Sequence, residues 1–203
     1  MLRRLGLEGL SRLDPKPPVW RYEHPRPGDL LHLDTKKLGR IRGVGHRIHG
    51  DYRRRSRGIG WEFVHAAVDD HSRLAHVETG PDERATTAVA FLRRTVRAYR
   101  RQGIRIRAVL TDNGSCYVSR DFAVACRELG LQHRFTRPYR PRTNGKAERF
   151  IQTLLREWAY ARPYRTSNQR TKALVPWLRY YNTERPHTAL GYQPPRSRIR
   201  RSL

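Results

Sequence analysis

The stretch "IRIRAVLTDNG" (Ile104 to Gly114) alternates Ile with Arg, becomes an unbroken apolar run, and stops at Asp112 against the turn signal "NG". That pattern is a strand entering a core from a half-buried start and ending at Asp112. Its neighbours are helical. Residues 83–102 place Ala85, Ala88, Val89, Leu92, Val96 and Tyr99 at helical spacing, with Gly103 positioned to end the helix. Residues 119–129 predict a short amphipathic helix that starts at Ser119 and is closed by Gly130, and "LQHRFT" predicts the next strand. A strand flanked in this way needs a sheet around it.

The remaining strands lie upstream. "LLHLDTKKL" (Leu30 to Leu38) alternates Leu31, Leu33 and Thr35 against His32 and Asp34, and "WEFVHAAVDDHSRLAHVETG" (Trp61 to Gly80) gives two β-rich runs around the turn "DDHS". The order is three strands, helix, strand, helix, strand, then helices: an α/β chain with a mixed five-stranded sheet flanked by helices. Residues 1–29 are Pro-rich and charged and read as a linker with little core of its own. Between the first two strands runs a glycine-punctuated basic segment, "GRIRGVGHRIHGDYRRRSRGIG". Within it, "HRIH" (His46 to His49) has a spacing that zinc could use, but no second ligand pair accompanies it, so it reads as a solvated basic loop. The domain boundaries expected are 1–29 for the linker, 30–162 for the core and 163–203 for a helical, basic extension.

Across 203 residues, 43 Lys and Arg face 18 Asp and Glu, a formal charge of +25. The excess is spread along the chain, and Arg suits bidentate contacts to phosphate, so the expected partner is DNA or another polyanion. Arg richness also follows from GC-rich coding. Cys116 and Cys126 are too few for a disulfide framework and point to a reducing compartment. With no apolar run of spanning length and no signal-peptide core, the expectation is a cytoplasmic protein with no membrane and no small-molecule substrate.

Against this charge the isolated acids are informative. "YRPRTNGKAERFIQTLLREW" (Tyr139 to Trp158) is a loop running into a helix whose Ala147, Ile151, Leu154 and Trp158 form one stripe, and Glu148 projects beside it. Asp34 lies on the first strand and Asp112 at the end of a later one. The three can converge on one small volume. Three carboxylates crowd together only at a cost, because like charges raise one another's pKa, and divalent cations relieve it. Hard oxygen donors suit Mg²⁺ or Mn²⁺, and two such ions make a phosphoryl-transfer catalyst. Taken singly, Asp34 can be an edge-strand polar residue, Asp112 a turn former, and Glu148 a partner of Arg149 or Gln152. Asp69 and Asp70 read as hairpin residues.

The segments "LLHLDTKKL", "VDDHSRLAHVE", "LTDNGSCYVS", "HRFTRPYRPRTNGKAERFIQTLLREW" and "YYNTERPHTALGYQPP" fall in order over about residues 20–195. Together they resemble the catalytic core shared by retroviral-type integrases and insertion-sequence transposases, the DDE group of RNase H-like strand transferases. Asp112 and Glu148, with 35 residues between them, match its D,D-35-E spacing.

The resemblance implies an RNase H-like fold, catalytic and metal-binding roles for Asp34, Asp112 and Glu148, and two Mg²⁺ or Mn²⁺ ions bridged by Asp34. It also implies DNA 3′-end processing followed by strand transfer, by at least a dimer on DNA. Asn144 and Gly145 would shape the turn that aims the helix. Lys146, Arg149, Arg140, Arg142 and Asn144 are candidate DNA contacts, a solvated face being the alternative. "NTERPHTALG" (Asn182 to Gly191) resembles the group's post-catalytic segment. Members usually carry an N-terminal helix-turn-helix that recognises the element's inverted repeats. Here the chain begins at what resembles the linker after it, which predicts poor sequence selectivity. A nuclease of the same fold and a non-catalytic DNA-binding remnant are the rival readings; a basic RNA-packaging protein would explain the charge but not the spaced acids.

Overall fold

The computed structural model describes residues 23–43, 58–136 and 144–199. The first 22 residues, the "HRIH" loop, and Arg140 and Arg142 lie outside them. Among the described residues there are five strands: β1 (Leu31–Gly39), β2 (Trp61–Asp69), β3 (Ala75–Gly80), β4 (Ala108–Thr111) and β5 (Gln132–Phe135). They form one sheet in the order β3-β2-β1-β4-β5, with β1, β2 and β3 antiparallel and β4 and β5 parallel to β1. The mixed sheet expected from the sequence is therefore present, and β1 lies at its centre.

Alternation along β1 separates two cores, because successive side chains of a strand point to opposite faces. Leu31 and Leu33 pack with Phe91, Leu92, Tyr99 and Phe122, contributed by α1 (Ala85–Arg100) and α2 (Arg120–Glu128). Both helices match their sequence patterns. Ser119 caps α2 by accepting from the Phe122 N–H, and Gly103 and Gly130 follow the helices with φ of 76° and 67°.

On the opposite face, Val64, Ala66 and Val68 of β2 meet Phe150, Ile151 and Leu154 of α3 (Gly145–Leu154), and Leu174 and Tyr181 of α4 (Ser167–Thr183). The whole stripe Ala147, Ile151, Leu154 and Trp158 is buried. After α3 the helix widens into a π-turn over Leu155–Ala159. There the Trp158 indole donates to the Arg170 carbonyl at 2.8 Å. Arg170 is itself buried and pairs with the buried Glu62 on β2, while also donating to the Gly39 carbonyl at 2.7 Å. A guanidinium is tolerated there only because these acceptors replace its water. At the other end of α4, Asn182 accepts from the Ala75 N–H and donates to the Ala75 carbonyl, both at 2.9 Å. Its amide thus occupies backbone groups on an edge strand.

The sequence pattern extends β4 further back than the structure does. Ile104 and Ile106 are buried, but the strand begins only at Ala108. The reason is the segment before β1: the Gly28 carbonyl takes the Arg107 N–H at 2.8 Å. Gly28 adopts φ of +86°, and a Cβ there would stand 2.3 Å from the Arg105 carbonyl oxygen. Both backbone strain and a clash with main chain oppose a side chain at this position. Gly28→Ala is expected to destabilise the fold by at least about 2 kcal/mol, read as a lower urea midpoint at unchanged slope.

Candidate functional site

The three acids come from three different elements. Asp34 is on β1, opposite Ala66 of β2, and so shares the sheet face on which α3 packs. β1 and β4 run parallel with Leu31 opposite Val109 and His32 opposite Leu110. The same register continued by two residues brings Asp34 level with Asp112, the first residue beyond β4. Glu148 lies in the first turn of α3. Asp34 is half-buried, whereas Asp112 and Glu148 are exposed, so the acids are open to solvent rather than enclosed in the core.

Their electrostatics reveal proximity. Burial pushes the Asp34 carboxyl up, the Thr35 N–H draws it back, and the charges of Asp112 and Glu148 each raise it further, to about 6. Both other acids therefore act on Asp34 through space. Among the described residues no three His, Cys, Asp or Glu side chains stand together as a site for a single ion. Each acid keeps carboxylate capacity free. Asp34 Oδ1 accepts from the Thr35 N–H at 2.8 Å, Asp112 Oδ1 accepts from the Gly114 N–H at 2.9 Å, and Glu148 makes no hydrogen bond or ion pair among the described residues.

These contacts bear on the structural alternatives. Asp34 is not on an edge strand, since β1 is central. Arg149 hydrogen-bonds Gln152 rather than Glu148. Asp112 does form the turn, but with one oxygen only. Gly114 keeps that turn open, because a Cβ there would stand 3.0 Å from Asp112 Oδ1.

Beneath the acids lies a layer of polar side chains. Thr35 Oγ1 is 3.0 Å from the Tyr117 hydroxyl and 3.1 Å from His65 Nδ1, and His65 Nε2 reaches the Asp82 carbonyl at 3.0 Å. Burial first, and then the Asp34 and Asp112 charges among smaller effects, raises the Tyr117 hydroxyl well above its ordinary range. It therefore stays neutral. Cys116, nearby, is pushed up to about 11 by burial and by Asp112, and Cys126 to about 11 by burial. Neither buried thiol is a nucleophile at neutral pH.

The DNA-contact candidates divide. Arg149 is exposed beside Glu148. Lys146 is only partly exposed, and its ammonium pairs with the buried carboxylate of Asp70. Asn144 is buried, with Oδ1 3.1 Å from His32 Nδ1. His32 Nε2 in turn meets Asp70 Oδ1 at 2.8 Å, and Asp70 Oδ2 accepts from the His24 N–H at 2.7 Å. Burial alone would raise the Asp70 carboxyl, but hydrogen bonds from His32, Lys146 and the His24 backbone override it and hold it far below the usual range. At Lys146 burial outweighs the pull of Asp70 and lowers the ammonium. The firmly ionised Asp70 is the better guide to the pair, which is charged at neutral pH.

Asp69 is the hairpin residue the sequence suggests, accepting from the Ser72 N–H and hydroxyl and from the Gly28 N–H. Asp70 is more than that, and no sequence pattern reveals it. The only hint is that His32 stands two residues before Asp34 on the same face of one strand.

Comparison with known proteins agrees with this architecture. The integrase core domain family matches residues 24–141, with a second integrase core domain family over 129–195. Transposase InsD for insertion element IS2A/D/F/H/I/K of Escherichia coli is 38% identical over 91 residues, 45% of this chain and 30% of its own length. InsD of insertion element IS2E from Escherichia coli strain K12 is equally similar over 42% of its length. These matches thus span less than half of either relative.

Among solved structures, the simian T-cell lymphotropic virus intasome in complex with PP2A regulatory subunit B56 gamma superposes with TM-score 0.67 at 21% identity, over 89% of this chain and 57% of that one. The HTLV-2 integrase catalytic core domain in complex with magnesium gives 0.60 at 16% identity, over 88% and 100%. The BIV integrase catalytic core gives 0.58 at 18%, over 85% and 93%. With its β3-β2-β1-β4-β5 sheet and a match over residues 24–141, the chain belongs to the integrase core domain family.

Proposed function

We propose that this chain is the catalytic core of a DDE transposase that processes DNA 3′ ends and transfers them to target DNA with two bound Mg²⁺ or Mn²⁺ ions. The observation that carries the reading is the register that sets Asp34 level with Asp112, on the sheet face against which the helix of Glu148 packs, and the raised Asp34 carboxyl accords with it. The donors are all carboxylate oxygens, which fits these cations and not zinc. Asp34, Asp112 and Glu148 would hold the two ions between them, so no single ion needs all three acids. When bound, the ions supply Lewis-acid polarisation of the scissile phosphate and charge stabilisation of the attacking and leaving oxygens. The magnesium bound by the HTLV-2 relative supports the choice of metal, and the relative seen in an intasome supports DNA as partner and a multimer as the working form.

The chain's own residues do the rest. Asp34, half-buried on a central strand, provides the fixed oxygen, and Asp112 is oriented by the Gly114 N–H. Arg149 stands exposed beside Glu148, and the +25 charge attracts the phosphate backbone by releasing its counterions. In the first reaction water displaces a 3′ oxygen from phosphorus, leaving a free 3′-OH. In the second that hydroxyl attacks a target phosphate, displacing another 3′ oxygen. No bond between protein and DNA forms at either stage.

The acids also have a measurable cost without cations. Folded Asp34 holds its proton up to about pH 6 against an ordinary 3.8. Raised above its unfolded value, it contributes no penalty below about pH 4, an increasing one between, and the full penalty above about pH 6. The shift corresponds to roughly 3 kcal/mol, and solvent screening at a half-buried site reduces this to about 1–2 kcal/mol. Asp34→Asn should therefore stabilise the metal-free protein by that amount at pH 7 and by nothing at pH 4, as followed by denaturant titration at both pH values.

Activity is tested on labelled duplexes in Mg²⁺ and in Mn²⁺, scoring joined products against simple nicks. Asp112→Asn and Glu148→Gln are expected to lose metal-dependent cleavage by more than about 100-fold while DNA affinity is kept. Nicks without joined products would point to the nuclease of the same fold. Wild-type behaviour that neither substitution alters would leave a DNA-binding remnant.

A further inference from the structure

Outside the acid cluster, Asp70 is a buried carboxylate whose partners come from three separate parts of the chain. It is 2% exposed, and each of its carboxylate oxygens is engaged. Its partners belong to different elements. His32 is on β1, two residues before Asp34. Lys146 is in the first turn of α3, two residues before Glu148. The backbone of His24 belongs to the segment that precedes β1. Asn144, immediately before α3, meets the other nitrogen of the same His32 ring at 3.1 Å. A closed path thus runs from the strand of Asp34, through His32 and Asp70, to the helix of Glu148, and back through Asn144.

We infer that Asp70 is a positioning residue for the reaction: by clamping His32 and Lys146 to one buried carboxylate, it sets the separation between Asp34 and Glu148 and hence the affinity of the ion they share. The inference rests on the two-ion reading given above. Hydrophobic packing of Ala147, Phe150 and Ile151 keeps α3 on the sheet but permits small slides and rotations, because apolar contacts are non-directional. The directional contacts in the first turn of α3 are those of Asn144 and Lys146. Glu148 is exposed and has no hydrogen bond of its own among the described residues, so its position is inherited from the helix backbone. Groups that orient metal ligands in this way typically change metal affinity by about 10- to 100-fold when removed.

The same carboxylate holds the His24 N–H, while Glu23 beside it pairs with Arg73 at 3.0 Å. The chain entering the core is therefore fastened to the joint that aims Glu148.

The test uses the full 203-residue chain and Mn²⁺ alone, titrated by electron paramagnetic resonance of the free ion below each variant's melting temperature. Asp70→Asn is expected to keep the native near-ultraviolet dichroism and to weaken Mn²⁺ binding by about 10- to 100-fold. Cleavage should recover towards wild type at saturating Mn²⁺, with the KM for DNA unchanged. Lys146→Met should weaken Mn²⁺ binding in the same direction while leaving Asp70 to His32 and His24, and it decides the matter if Asp70→Asn fails to fold. Mn²⁺ affinity within about twofold of wild type in a folded Asp70→Asn or Lys146→Met protein overturns the inference. Glu148→Gln separates the two levels of the argument. If it weakens Mn²⁺ binding and the Asp70 and Lys146 variants do not, only the positioning role falls. If wild type binds no Mn²⁺, or Glu148→Gln binds as wild type does, the two-ion reading falls and takes the positioning role with it.

Discussion

Like charges brought within range of one another are the constraint around which this fold is arranged. Asp34 feels both Asp112 and Glu148, and it is the only one of the three acids with substantial burial. Left to relax, three such side chains would separate. What prevents this is that each sits on backbone held by the surrounding structure. Asp34 is held by strand pairing on both sides, Asp112 by a turn, and Glu148 by a helix packed across β1 and β2. The repulsion is carried by the stability of the surrounding core, as expected where electrostatic strain belongs to a site rather than to the scaffold.

The scaffold was legible in the sequence wherever burial imposes a period. The first four strands, the helices around residues 83–102 and 119–129, and the stripe from Ala147 to Trp158 all follow from apolar spacing, and Ser119, Gly103 and Gly130 mark the helix ends. The reading went astray at Ile104 to Arg107, where alternation is real but the backbone partner is Gly28 rather than a strand. Periodicity records which side chains are buried and carries nothing about where an N–H finds its acceptor. Likewise Asp34, Asp112 and Glu148 stand out as acids in a basic chain with a recognisable interval. Asp70 does not, since a buried acid and a hairpin acid are written with the same letter and only the tertiary positions of His32 and Lys146 distinguish them.

Charge has opposite signs at two scales here. Over the whole surface the balance is +25, a long-range field suited to a phosphate backbone. Around Asp34 the local balance is negative, since Asp112 and Glu148 both raise its carboxyl. A polyanion drawn in by the first would be repelled by the second unless cations intervene. Partial neutralisation from within the protein is small: Lys36 lowers the Asp34 carboxyl, but as the least of its influences. Lys146, in the same first turn of α3 as Glu148, is engaged by Asp70.

That engagement gives the arrangement its logic. Were the Lys146 ammonium directed at Glu148, it would satisfy the acid and remove the demand for an external cation, leaving a stable ion pair and no site. Directed at Asp70 instead, it neutralises a carboxylate that could not survive burial unpaired. The helix gains an anchor while Glu148 stays exposed. Two acids in the same small region thus have opposite fates for one physical reason. The buried carboxylate must be compensated by the chain, whereas the exposed one can wait for a partner from solution.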